Sequence, residues 1–169
     1  YGEFIGVELP EISRRMFPVS RKREDLGIAG LSMGGYGALR NGIKYQDTFS
    51  VIASFSGAIY KNALPFEEDS GSPFFLTTRY AKSIFKDQDY YDSHGNQLFK
   101  AIEKVENPSN LKIFMTCGTE DWLLDKSREF SRFLFEKGVP VIYKEKSGGH
   151  EWDFWDWSIK EFLDWWIPE

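Results

Sequence analysis

Cysteine and histidine are the scarce residues of this chain, one and two among 169. The single thiol, Cys117, excludes an internal disulfide and fits a reducing compartment, so the expected location is cytoplasmic. No set of His, Cys and acidic residues has metal-ligand spacing, and the sequence predicts neither a metal nor a cofactor. No apolar run approaches the roughly 18 residues of a membrane span, and no signal peptide opens the chain, so no membrane association is expected. An excess of positive charge is lacking too. Lys and Arg number 21 against 26 Asp and Glu, a formal charge of -5, which argues against a nucleic-acid partner. The one basic cluster, Arg14, Arg15, Arg21, Lys22 and Arg23, reads as a solvated helix end and loop. The glycines after Ser32 come without the lysine of a phosphate-binding loop. Internal repeats and low-complexity tracts are missing.

What is there is one domain's worth of chain, long enough to bury a core. Apolar residues make up 41% and charged residues 28%, as in soluble globular proteins. Aromatic residues crowd into Trp152 to Trp166. Tyr1 begins in mid-pattern without an initiator Met, which predicts that the natural amino terminus is absent.

Hydrophobic spacing sets out the elements. Phe4, Val7, Ile12 and Met16 recur at roughly helical intervals, with Pro10 interrupting or kinking the segment and Phe17-Pro18 closing it. Leu26 to Ala29 reads as a buried strand, and a helix follows that ends near Tyr45. Val51 to Phe55 is a second strand, ending at Ser56-Gly57. From Ala58 to Pro108 regularity weakens, with turn signals at Pro65, Gly71-Ser72-Pro73 and Asp92 to Asn96, and a helix over Asn96 to Glu106. An irregular insertion of this length reads as a lid or pocket wall. Lys112 to Thr116 is a third strand. Asp125 to Lys137 is an amphipathic helix with Phe130, Phe133 and Leu134 on one face and Gly138 just past its end. Val139 to Lys144 is a fourth strand, and a final helix runs from about Trp152 to Trp166. Strands alternating with helices imply an α/β fold, a mainly parallel sheet covered by helices on both faces.

The most informative stretch is Gly30-Leu31-Ser32-Met33-Gly34, set between the first strand and its helix. G-x-S-x-G in that context is the nucleophile elbow of serine hydrolases. Three fixed positions alone would arise by chance in roughly one chain in twenty of this length, so the flanking strand and helix carry the reading. So tight a turn strains the backbone of Ser32 and lifts its hydroxyl above the sheet. Gly30 and Gly34 are expected where a side chain would strike the neighbouring strand or helix.

Ser32, Asp121 and His150 all follow strands, so all three fall at the carboxyl edge of the sheet, where such folds bind ligands. A serine hydroxyl needs a base within hydrogen-bond reach. His150 follows the last strand and is the candidate, and the order Ser…Asp…His is that of these hydrolases. His94, between Ser93 and Gly95, reads as a solvated loop residue. Asp121 is the best-placed acid, with Glu120 and Asp125 as rivals; an N-cap suits Asp125 better. One oxyanion donor would be the backbone N–H of Met33, and the second would come from a loop after an earlier strand that this chain does not contain. A missing donor typically costs about 100- to 1000-fold in rate. Cys117, an alternative nucleophile, ends an apolar strand with no histidine near it in sequence and reads as a packing residue.

The string from Ala29 to Leu39, Ala-Gly-Leu-Ser-Met-Gly-Gly-Tyr-Gly-Ala-Leu, closely resembles the esterase D family of α/β-hydrolases. That family holds tributyrin, feruloyl and acetylxylan esterases and S-formylglutathione hydrolases. Glu8-Leu9-Pro10, Ser54-Phe55-Ser56-Gly57, Cys117 to Asp121 and Gly149-His150-Glu151-Trp152 look like further landmarks in order, so the resemblance covers nearly the whole chain. Its look is nearest to bacterial tributyrin-esterase-like carboxylesterases. The resemblance implies an α/β-hydrolase core of which this chain is the C-terminal part, with the lid or pocket insertion at about residues 58–108. It implies Ser32 as nucleophile, His150 as base, Asp121 as acid and Met33 as oxyanion donor. The implied reaction hydrolyses a small-molecule ester of a short or aromatic acid through an acyl-enzyme. Family members carry earlier strands and a His-Gly oxyanion loop, which predicts a separate N-terminal segment completing the fold and covering a sheet edge; a homo-oligomer is compatible with this. Trp122 and Trp152, with Phe66, Phe74 and Phe75 of the insertion, are the expected walls of an acyl or aromatic pocket, with core packing as the alternative. A thioesterase or acyltransferase with the same triad, or a non-catalytic binding module, are the other readings.

Overall fold

The computed structural model describes residues 1–61 and 77–167. The apolar runs at 51–55 and 113–118 are unbroken because both of their faces are covered. They form β2 (Val51–Phe55) and β3 (Ile113–Gly118), and every residue of each is buried. β1 (Gly27–Leu31) and β4 (Val141–Lys146) flank them in a parallel sheet of order β1-β2-β3-β4. The register pairs Ile28 with Ile52, Ala53 with Phe114 and Phe114 with Ile142.

Parallel neighbours need crossovers, and these carry the helices. α1 (Leu9–Met16) precedes β1, and α2 (Met33–Lys44) leads from β1 towards β2. Between β2 and β3 lie α3 (Thr78–Phe85), α4 (Gln88–Ser93) and α5 (Leu98–Glu103). α6 (Leu124–Glu136) joins β3 to β4, and α7 (Trp152–Trp166) follows β4. Alternation along the strands divides the core in two. Ile52, Ile113 and Met115 face Leu39 and Ile43 of α2, Ile102 of α5, and Phe130 and Leu134 of α6. Val51, Ala53, Phe55 and Phe114 face Phe154, Trp155 and Phe162 of α7. Most of the C-terminal aromatic residues therefore pack against one face of the sheet.

Two local readings need correction. Pro10 does not break the opening helix. A π-helical turn over Phe4–Glu8 precedes α1, with Leu9 N–H bonded to the Phe4 carbonyl, and this wider turn accommodates the proline ring at the start of α1. Residues 77–108 are not irregular but hold three short helices. Thr77 caps α3 by accepting from Tyr80 N, and Asp87 caps α4 by accepting from Tyr90 N. Helices of six to eight residues leave too few turns for periodicity to register. The helix expected at Asn96 to Glu106 is α5. Pro65, Phe66, the turn at Gly71-Ser72-Pro73, Phe74 and Phe75 lie outside the described residues.

Among the described residues β1 is paired on one side only. A groove lined by Ile5, Leu9, Val19, Leu26 and Ile28 runs beside its other edge. Val7, Ile12, Met16 and Phe17 are exposed near it in sequence.

The turn from β1 into α2 is where glycine matters most. A Cβ on Gly30 would sit 2.2 Å from the Gly34 carbonyl oxygen, so the strand and the helix touch there. Gly34 departs from expectation, because a Cβ on it would meet nothing within 4 Å. The constrained residue on the helix side is Gly35, where a Cβ would lie 2.8 Å from Ser54 Oγ and 3.0 Å from Gly57 Cα. Gly34→Ala should therefore hold or raise stability, by up to about 1 kcal/mol from reduced backbone entropy. Gly30→Ala should lower it by about 1–3 kcal/mol or more through overpacking. Urea unfolding midpoints of the two variants check the contrast.

Candidate functional site

Ser32 stands between β1 and α2 with φ 53° and ψ -122°, a region non-glycine residues rarely enter. Its N–H donates to the Phe55 carbonyl at 2.8 Å, and its carbonyl accepts from Tyr36 N at 3.2 Å and Ala58 N at 3.0 Å. Strain of this kind costs on the order of 1–3 kcal/mol and persists only where surroundings over-determine it, as these three bonds do.

The Ser32 hydroxyl meets the loop after β4. His150 Nε2 lies 2.8 Å from Ser32 Oγ, and His150 Nδ1 lies 2.9 Å from Asp121 Oδ2. The Asp121 side chain is completely buried, and its other oxygen accepts from Leu123 N at 2.9 Å. A carboxylate can only accept, so the imidazole carries its proton on Nδ1 and offers the Nε2 lone pair to the serine. The arrangement can therefore take a proton from Ser32 and hold the resulting imidazolium against a buried negative charge. Met33 opens α2 with its side chain exposed, so its backbone N–H belongs to the positive end of the helix directly beside Ser32.

The rival acids do other things. Glu120 turns to the loop that carries His150, where its carboxylate accepts from Gly148 N, Thr119 Oγ1 and Ser147 Oγ. Asp125 is exposed in the first turn of α6 and is not its N-cap. The capping position is Leu123, whose own N–H is satisfied by Asp121. His94 is exposed at the end of α4, stacked on Tyr90 with ring centroids 4.0 Å apart. Cys117 is fully buried in β3, and burial pushes its thiol up to about 11. Neither His94 nor Cys117 joins the Ser32–His150–Asp121 group.

Aromatic rings surround the imidazole. Trp122, half exposed, has its ring centroid 5.5 Å from that of His150. Trp152 is exposed rather than part of the core, and sits edge-on to Trp155 at 5.2 Å. Trp155 in turn is edge-on to His150 at 4.9 Å. Trp155 was not among the sequence-derived candidates. Its signal was available, since it lies one helical turn after Trp152 at the start of a helix that follows His150. Phe66, Phe74 and Phe75 lie outside the described residues. Among the described residues no group of three or more His, Cys, Asp or Glu could hold a metal ion, and no helix is long and apolar enough to cross a membrane.

A parallel sheet whose first described strand ends in a strained serine elbow, with acid and histidine loops converging on it, is the α/β-hydrolase fold. The chain belongs to the putative esterase family, whose model matches residues 1–165. It is 36% identical over 167 residues to an acetyl esterase of Caldicellulosiruptor saccharolyticus, covering 98% of this chain and 63% of that one. The S-formylglutathione hydrolase of Staphylococcus aureus superposes with a TM-score of 0.78 at 25% identity, covering 99% of this chain and 64% of that chain. A ferulic acid esterase gives a TM-score of 0.74 at 25% identity, covering 98% of this chain and 60% of that chain. The chain thus spans less than two thirds of the length of these relatives.

Because burial keeps the Cys117 thiol protonated, the native chain should not react with a thiol reagent such as Ellman's at pH 8. The same chain unfolded in guanidinium should take up one equivalent. Rapid reaction of the native chain would contradict the packing assignment.

Proposed function

We propose that this chain carries the nucleophile of a serine carboxylesterase acting on short-chain or aromatic acyl esters. The observation that carries the reading is the continuous hydrogen-bonded line Ser32–His150–Asp121, with both links under 3 Å. His150 Nε2 removes the hydroxyl proton as Ser32 Oγ attacks the ester carbonyl carbon. Asp121 stabilises the imidazolium, and the Met33 N–H donates to the developing oxyanion. The imidazolium then protonates the leaving alcohol, which departs as the acyl-enzyme forms. A water molecule deprotonated by the same Nε2 attacks the acyl carbon, and the acid leaves with Ser32 restored.

A second oxyanion donor would come from a segment seated against the open edge of β1, a reading supported by the groove there and by the greater length of the relatives. Trp122 and Trp152 would flank the acyl group. Relatives named as acetyl and ferulic acid esterases support both a small and an aromatic acyl group as candidates. Likeness to an S-formylglutathione hydrolase supports a second reading in which the same triad cleaves a thioester. The single buried thiol supports a cytoplasmic setting.

A fluorophosphonate probe should add once to the wild-type chain, at Ser32, and not to Ser32→Ala, as read by intact mass. Absence of an adduct, both from the chain alone and from the chain joined to its upstream sequence, would refute the reading. Asp121→Asn presents a donor to Nδ1 and imposes the wrong tautomer, so the rate of ester hydrolysis should fall about 10⁴-fold with the fold intact by circular dichroism. Trp122→Ala should lower kcat/KM for a feruloyl ester about tenfold or more while leaving an acetyl ester near its original value. A parallel series of acyl thioesters decides between ester and thioester as the preferred substrate.

A further inference from the structure

Beside the buried Asp121 stands a second acid that the reaction above does not use. We propose that Glu120 is a positioning residue whose carboxylate latches the 147–150 loop to the end of β3 and so fixes His150 between Ser32 and Asp121. Glu120 Oε2 accepts from Gly148 N at 2.5 Å and from Thr119 Oγ1 at 2.9 Å, while Oε1 accepts from Ser147 Oγ at 3.3 Å. The backbone completes the lacing. Glu120 N donates to the Gly148 carbonyl at 3.2 Å, and Thr119 N donates to the Lys146 carbonyl at 2.9 Å. Gly148 thus both donates to and accepts from one residue. The two loops touch so closely that a Cβ on Gly118 would lie 2.0 Å from the Gly148 oxygen.

The loop needs such a hold. The β3–β4 ladder ends at the pair Gly118 and Lys146, and α7 begins at Trp152, so His150 stands on five residues that belong to neither. Gly148 adopts φ 150°, in the region that favours glycine, and beyond its carbonyl no backbone bond among the described residues ties the loop to the β3 side. The Glu120 carboxylate adds charge-assisted bonds to that backbone lacing. The Gly148 N–H, with Thr119 and Ser147, holds its carboxyl below the usual carboxylate range, as expected of a group ionised in service of these donors. The latch is exposed to solvent, and hydrogen bonds at such a place add little to global stability. Their removal should act on the position of His150 and not on the fold. Misplacement of a catalytic group by about 1 Å can cost about 100-fold in rate.

The inference rests on the esterase reading for its rate measurement, and so a second readout independent of activity accompanies it. With ¹⁵N-histidine label only His94 and His150 report, and the low-field proton between His150 Nδ1 and Asp121 is assigned by its loss in His150→Gln. Glu120→Ala should broaden or abolish that resonance while leaving the thermal midpoint close to wild type. It should slow fluorophosphonate labelling about ten- to 100-fold through the maximal rate and not through probe affinity. Glu120→Gln keeps an acceptor for Gly148 N and should recover labelling to within about threefold of wild type. Glu161→Ala removes the distant Lys144–Glu161 pair and should change neither readout. A Glu120→Ala chain with the wild-type resonance overturns the latch, as does equal loss in Glu161→Ala. A wild-type chain inert to the probe, both alone and joined to its upstream sequence, counts against the esterase reading alone and leaves the resonance to decide on Glu120.

Discussion

A backbone hydrogen bond from Ser32 N to the Phe55 carbonyl, 2.8 Å long, carries the β1–β2 ladder one residue past the end of β1. The helix must begin at the very next residue, because Met33 already opens α2. Between a fixed ladder and a fixed helix, Ser32 has no relaxed conformation left to take, and φ 53° is the result. The turn closes only because Gly30 lets the Gly34 carbonyl come against it and Gly35 lets the helix settle over Ser54 and Gly57. Any side chain that pushed α2 away would also move the hydroxyl, since Ser32 is the hinge between them.

The other two members of the group are held differently. Asp121 is fixed by burial and by Leu123 N, so its position follows from the start of α6 and the covered end of β3. His150 has no such frame. It stands past the last ladder pair of an edge strand, with Trp122 on one side and Trp155 on another. α7 serves two purposes as a consequence. Phe154 and Phe162 seal the sheet, while Trp152 and Trp155, at the helix's opening turn, form a ring surface beside the imidazole.

Much of this was legible in the residues, and the rest was not for identifiable reasons. β2 and β3 show as apolar runs because parallel strands buried on both faces carry no alternation to confuse. The elbow shows because a strained turn demands a motif. The doublet Gly34-Gly35, by contrast, hides which glycine is constrained; the contact with Ser54 and Gly57 decides it, and no local pattern reports a contact made across the sheet. The doublet Glu120-Asp121 poses the same difficulty. Both acids follow a strand, and only the turn closed by Asp121 N on the Gly118 carbonyl sends one inward to the histidine and the other across to Gly148. Pro10 misled because the compensating π-turn lies upstream of it and leaves no compositional mark. α3 and α4 were missed because each is recognisable by its cap and not by its period, as Thr77 and Asp87 illustrate.

The distribution of these parts along the chain bears on how an esterase of this kind would divide its labour. On the proposed reading, activation of the serine depends on Ser32, His150 and Asp121, which come from loops after β1, β4 and β3 respectively. Stabilisation of the oxyanion, on the proposed reading, draws on Met33 from this chain and on a donor reaching the open side of β1. The two contributions differ in their physical demands. Proton transfer needs a few side chains held at hydrogen-bond distance, which the loops around Ser32 and His150 and the buried carboxylate of Asp121 provide locally. An oxyanion hole needs two donors converging on one point in space, so its second wall must come from whatever lies across the carbonyl from α2. Among the described residues the edge of β1 is the sheet edge next to Ser32, and the groove along it sets Ile5, Leu9, Val19 and Ile28 beside the polar Ser13, Arg14, Ser20 and Asp25. On the proposed reading, nucleophile activation rests on loops after β1, β3 and β4, whereas the second oxyanion donor would come from a segment seated at the open side of β1.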